Sequence, residues 1–67
     1  MASIGNNPEV KVGDTIRIIF IDDIRCYDYV GREGEVTYID SIGQLHGTWG
    51  GLAIVPEIDT YELVNEF

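Results

Sequence analysis

The fold is decided by the stretch Val30-Gly31-Arg32-Glu33-Gly34-Glu35-Val36-Thr37-Tyr38-Ile39-Asp40. Two glycines, three residues apart, lead into a run that is rich in β-branched and aromatic side chains. Gly31 can supply a corner with a positive φ angle, and Gly34 can let a neighbouring backbone pass close by. A phosphate-binding loop would lead into a helix, whereas a strand follows here. The pattern therefore predicts a framework turn followed by a strand.

Short strands and turns alternate on both sides of this stretch, which is typical of a small all-β domain. Gly50-Gly51 is predicted to be a hairpin turn, and residues 56–59 a compact corner. A bulge or a switch of faces is expected near Tyr38, because Val36 and Tyr38 share one face and Ile39 also favours burial. The predicted strands are residues 15–21, 34–39, 45–49, 52–55 and 61–64.

The first predicted strand has apolar residues on both of its faces. A period of two places Ile16, Ile18 and Phe20 on one face. Ile19 and Ile21 then share the opposite face with Arg17. A loop, the N-terminal arm or a partner must cover them, and we favour a loop. If they stay exposed, they predict weak self-association into a homodimer.

The number and spacing of the strands predict one all-β domain, a small five-stranded SH3-like barrel over residues 10–67. Residues 1–9 are predicted to form a flexible N-terminal arm. This arm lacks the basic and apolar regions of a signal peptide, and no apolar run reaches the roughly 18 residues of a membrane span. These features predict a cytoplasmic protein.

Charge narrows the classes of partner. The 67 residues contain 12 acidic and 4 basic side chains, a formal net charge of −8. Affinity for nucleic acid comes largely from Lys and Arg, so direct binding to DNA or RNA is disfavoured. An acidic surface keeps a small protein soluble, which is one interpretation of the charge; the other is attraction to a protein partner with a basic surface.

The residues that could support catalysis or metal binding are few. Cys26 and His46 are the only cysteine and histidine, which is too few for a disulfide or a four-ligand zinc site. Cys26 is expected to be a half-buried apolar residue, and His46 to face outward. The sequence predicts no catalytic residue, no metal site and no cofactor, and hence no enzyme.

Ordered motifs along residues 10–64 resemble an uncharacterised family, a domain of unknown function found in short bacterial, phage and mobile-element proteins. The resemblance implies an SH3-like or KOW-type barrel and supplies no catalytic residues. KOW-type relatives often contact RNA through basic residues, which are scarce here. The motifs are Gly13-Asp14-Thr15-Ile16-Arg17, Asp22-Asp23, Gly31-Arg32-Glu33-Gly34-Glu35-Val36, Gly43-Gln44-Leu45-His46, Trp49 and Leu52-Ala53-Ile54-Val55-Pro56.

The long connection after the first strand is the most informative place to look for function. Its carboxylates and tyrosines, together with a tryptophan from a later strand, suit contact with a basic protein. Turn capping is a second interpretation of the aspartates, and core packing is the favoured interpretation of the tryptophan. The candidate partner-binding residues are Asp22, Asp23, Tyr27, Asp28, Tyr29 and Trp49.

Three functions remain open at this point. The leading hypothesis is a small acidic protein-binding module without catalysis, of bacterial, phage or mobile-element origin. The first alternative is a phage-type inhibitor that presents an acidic, nucleic-acid-mimicking surface to a host nucleic-acid enzyme. The second is a KOW-like module associated with nucleic acid.

Overall fold

The computed structural model describes residues 7–64, and it confirms an all-β domain with five antiparallel strands. The strands form one sheet in the order β4-β3-β2-β1-β5. No helix in the described part of the chain is both long and apolar enough to cross a membrane. The strands are β1 (Thr15–Phe20), β2 (Glu33–Ile39), β3 (Leu45–Gly47), β4 (Gly50–Ile54) and β5 (Thr60–Val64), and a 3₁₀ helix (Ile24–Tyr29) lies between β1 and β2.

Strand β2 joins the two halves of the sheet. Its first residues pair with β1, and its later residues pair with β3. The register with β3 shifts between Val36 and Tyr38, which confirms the irregularity predicted there. As a result Val36 is buried, Tyr38 is exposed and Ile39 is half-buried.

Gly31, just before β2, and Gly34, within β2, act as the sequence predicts. Gly31 has a φ angle of +93°, in the region that side chains with a Cβ rarely adopt. A Cβ added to Gly34 would lie 2.8 Å from the backbone nitrogen of Trp49, so the β3–β4 turn can approach β2 only at a glycine.

The predicted position of the β3–β4 turn is wrong by two residues. Gly47 pairs with Gly50, and Thr48 and Trp49 form the turn that was expected at Gly50-Gly51. A Cβ on Gly47 would collide with the ring of Trp49, so the indole lies over a residue without a side chain. Packing of the indole, rather than the Gly-Gly pair, therefore fixes the turn.

The predicted facing of β1 is wrong at its end. Ile16 and Ile18 are buried as expected, but Phe20 is 41% exposed. Ile21, which was assigned to the opposite face, is buried. The pairing of β1 with β5 shifts register between Ile18 and Phe20, and this β-bulge reverses the alternation of the residues that follow.

The core is a single cluster around the middle of the sheet. Val10, Cys26, Tyr29, Ile39, Leu52 and Leu63 pack against its edge and are partly buried. Asp59 is a charged residue among the buried ones, at 5% exposure. The apolar core residues are Ile16, Ile18, Ile21, Val36, Leu45, Trp49, Ile54 and Tyr61.

The contact between Gly47 and Trp49 predicts a stability effect that depends on position. Gly47→Ala forces a methyl group against the indole and against the backbone oxygen of Glu35, and it should lower the free energy of unfolding by about 1–3 kcal/mol. Gly51→Ala is the control, because a Cβ there meets nothing within 4 Å. Urea unfolding followed by tryptophan fluorescence measures both variants, and equal stabilities would contradict this account of the turn.

Candidate functional site

The β1–β2 connection (residues 21–32) contains the predicted surface and is ordered by its own backbone. Asp23 is the N-cap of the 3₁₀ helix, and its carboxylate accepts a hydrogen bond of 3.0 Å from the backbone nitrogen of Arg25. The guanidinium of Arg25 also binds Asp23, and these contacts lower the pKa of the Asp23 carboxyl. The turn-capping interpretation of Asp23 is therefore confirmed.

A buried carboxylate fixes the start of this connection. One oxygen of Asp59 accepts a hydrogen bond from the backbone nitrogen of Asp22, and the other accepts one from Val55, each at 2.9 Å. Asp59 thereby ties the connection to the turn between β4 and β5. The sequence indicated only a turn at residues 56–59, and no local signal pointed to a contact with Asp22.

Asn7 extends the same network towards the N-terminus. Its side-chain nitrogen donates hydrogen bonds of 2.8 Å to the backbone oxygens of Pro56 and Asp59. Its side-chain oxygen accepts a hydrogen bond from the backbone nitrogen of Tyr61. Asn7 belongs to the segment predicted to be a flexible arm, and residues 1–6 of that segment lie outside the described residues.

The far end of the connection is held against the β3–β4 turn. The guanidinium carbon of Arg32 lies 4.3 Å from the centre of the Tyr29 ring, and its Nη1 donates to the backbone oxygen of Trp49 at 2.8 Å. A Cβ on Gly50 would lie 2.9 Å from the Tyr29 ring, so this residue also allows a close approach. Tyr29 is consequently half-buried.

Trp49 lies in the core rather than on the surface, with 3% exposure. Its ring nitrogen donates to the backbone oxygen of Leu52 at 2.8 Å. The indole therefore positions the β3–β4 turn, and the exposed part of the site does not include it.

The exposed part of the site is apolar and aromatic. The rings of Tyr27 and Phe20 meet edge to face, with 6.4 Å between their centres. Both rings are exposed, as are Ile19, Ile24 and Val30. Sequence reasoning identified Tyr27 but missed Phe20, because the bulge that turns it outward depends on pairing with β5.

The acidic residues of the site are partly neutralised. Among the three predicted aspartates, Asp23 and Asp28 form ion pairs with arginines, and Asp22 is exposed without one in the described residues. All four basic side chains of the protein are in such pairs. The pairs are Lys11–Asp14, Arg17–Glu33, Arg17–Glu62, Arg25–Asp23 and Arg32–Asp28.

The residues with the most reactive side chains are not brought together. Cys26 is half-buried, as predicted, and packs against the core. His46 lies on β3, where its Nε2 is 2.9 Å from a carboxylate oxygen of Asp40. Within residues 7–64 no group of three or more His, Cys, Asp or Glu side chains is placed to hold a metal ion.

Asp40 also organises the turn between β2 and β3. Its second carboxylate oxygen accepts hydrogen bonds from the backbone nitrogens of Ile42 and Gln44. The hydrogen bond from His46 is the main reason that the pKa of Asp40 is lowered, and the backbone hydrogen bonds act in the same direction. The centres of the Tyr38 and His46 rings are 5.4 Å apart.

Comparison with known proteins gives one match. A family model described as "Domain of unknown function (DUF4314)" matches residues 7–64, so the chain belongs to this family. Searches of curated proteins and of solved structures found no match.

Because Asp59 accepts two backbone hydrogen bonds, we predict that replacing its carboxylate destabilises the fold, whereas replacing another carboxylate of the same turn does not. Asp59→Asn keeps one acceptor oxygen but places an amide donor beside the second backbone N–H. The free energy of unfolding should therefore fall by about 1–3 kcal/mol. The control is Glu57→Gln, an exposed acid in the same turn, with an expected change within about 0.5 kcal/mol. Urea unfolding measures both, and equal losses would contradict the assignment.

The Asp40–His46 contact predicts that the free energy of unfolding depends on pH in the acid range. A carboxylate with a lowered folded-state pKa stabilises the fold above its ordinary pKa of about 3.9, and the stabilisation is lost as pH falls from there through the folded value. His46→Gln should therefore raise the pKa of Asp40, measured by NMR of the carboxyl carbons. The Asp23 carboxyl, which is held by Arg25, serves as the internal control and should not move. An unchanged Asp40 titration would disprove the contribution of His46.

Proposed function

We propose that this member of the DUF4314 family is a small non-catalytic module that binds another protein through the end of β1 and the β1–β2 connection that follows it. One observation carries the proposal. Of the nine exposed large apolar side chains in the described residues, five lie between Ile19 and Val30. Single exposed apolar residues are ordinary, whereas a cluster of them marks an interaction surface.

The anchoring of the connection supports the same function. Asp59 holds its start, and Arg32 holds its end against the β3–β4 turn. Side chains that are held in place before binding lose less conformational entropy when a partner arrives. The connection thus presents a prepared surface.

We further propose an SH3-like barrel of bacterial, phage or mobile-element origin that acts in the cytoplasm. The strand order, the long connection after β1 and the short turns after it support this architecture. Non-catalytic action is supported by Cys26 and His46, which lie on different elements and contact different partners.

The distribution of charge favours the nucleic-acid-mimicking inhibitor over the KOW-like module. Acidic side chains outnumber basic ones by 12 to 4, and each basic one is already paired with a carboxylate. This arrangement supports an inhibitor that mimics nucleic acid. It gives less support to a KOW-like module, because that function needs basic side chains for phosphates.

Capture of a partner tests the proposal. The immobilised protein is exposed to a lysate of its source organism, and each captured protein is purified and titrated by calorimetry. Ile24→Ser should weaken the complex about tenfold, while Ile42→Ser, an equally exposed isoleucine in the β2–β3 turn, should leave it unchanged. Failure to find any saturable partner, or equal effects of the two variants, would reject the proposal.

The alternatives predict different results in the same experiment. A nucleic-acid mimic should bind a basic enzyme, lose affinity steeply between about 0.05 and 0.5 M salt, and be displaced by DNA. A KOW-like module should shift a labelled oligonucleotide at low salt in the absence of any protein partner.

A further inference from the structure

The β-bulge in β1 creates an outward-facing apolar pair. In a regular strand, neighbouring side chains point to opposite faces. Here the register with β5 shifts between Ile18 and Phe20, and Ile19 and Phe20 are both exposed while Ile18 and Ile21 are buried. Bulges of this kind commonly redirect a side chain at a binding site.

Two residues of the β1–β2 connection complete an apolar surface around this pair. Tyr27 contacts the ring of Phe20 edge to face. The backbone nitrogen of Gly31 donates to the backbone oxygen of Ile18 at 2.7 Å, so Val30 and Ile19 each adjoin one residue of this hydrogen-bonded pair. We call Ile19, Phe20, Tyr27 and Val30 the bulge patch; each is between 41% and 50% exposed.

Carboxylates lie beside the bulge patch on the neighbouring strands. Arg17, two residues before Ile19, is flanked by Glu33 on β2 and Glu62 on β5. Its guanidinium binds the Oε2 atom of both glutamates, so two carboxylates share one positive charge. The group is therefore negative, and the hydrogen bonds to Arg17 do not use the Oε1 atoms.

We infer that the bulge patch docks a basic amphipathic segment of a partner protein, which rests on the protein-binding function proposed above. Apolar side chains of the segment cover Phe20 and Tyr27, and its Lys or Arg side chains reach Glu33 and Glu62. A second copy of this chain suits the patch poorly, because each copy has a net charge of −8 and the two repel.

Three synthetic peptides of about 18 residues separate apolar from electrostatic recognition. One is a helix with Leu on one face and Lys on the other, the second has Glu in place of Lys, and the third has Ser in place of Leu. Each is titrated into the ¹⁵N-labelled full chain. We expect the Leu/Lys peptide to shift the amides of the bulge patch and of Glu62, and to bind about tenfold more tightly than the other two.

Variants with matched exposure locate the contact. Tyr27→Ala and Phe20→Thr should each weaken binding of the Leu/Lys peptide about tenfold. Tyr38→Ala should leave it unchanged, because Tyr38 is as exposed as Tyr27 but lies on β2 beside His46. The amide spectrum of each variant without peptide verifies that it is folded.

The possible results distinguish this inference from the proposed function. No binding of the Leu/Lys peptide, shifts confined to other surfaces, or equal binding of the Leu/Glu peptide would overturn the inference. In each of those cases a purified partner that is sensitive to Ile24→Ser would still support the protein-binding function. Dimers seen by sedimentation and disrupted by Phe20→Thr would instead assign the patch to a second copy.

Discussion

The buried carboxylate of Asp59 is the constraint on which the functional surface depends. It accepts backbone hydrogen bonds from Asp22 and Val55, which join the end of β1 to the end of β4. An ionised group removed from water is costly unless its hydrogen bonds are replaced, and these two N–H groups replace them. The core of so short a chain is small, so polar contacts between distant segments add to what apolar packing alone supplies.

Side-chain contacts also anchor the opposite end of the β1–β2 connection. Tyr29 and Arg32 hold it against the β3–β4 turn at Trp49 and against Gly50, the first residue of β4. Polar and aromatic side chains that the sequence offered as partner contacts are thus used partly for internal support. The outward-facing part of the connection is what remains, and it is more apolar than its sequence suggests.

The sequence predicts only part of the candidate site, because some of its residues are placed by contacts between segments far apart in the chain. The cap at Asp23 follows from local sequence, because an aspartate in a turn bonds to backbone groups about two residues later. Tyr27 follows from its place in the long polar connection. A period of two places Phe20 on the same face as Ile16 and Ile18, because it assumes a regular strand. The bulge that exposes it arises in the pairing with β5, whose residues lie some forty positions later in the chain.

The sequence by itself determined the all-β class, the corner at Gly31, the close approach at Gly34 and the irregularity near Tyr38. These features depend on backbone preferences and on the alternation of neighbouring side chains, which are local properties. Only the tertiary structure decided that Phe20 faces outward, that Trp49 sets the β3–β4 turn and that Asp59 holds the connection. Each of these depends on a partner brought close by folding: Asp59 and Asp22 are 37 residues apart in the chain, and no local pattern encodes their contact.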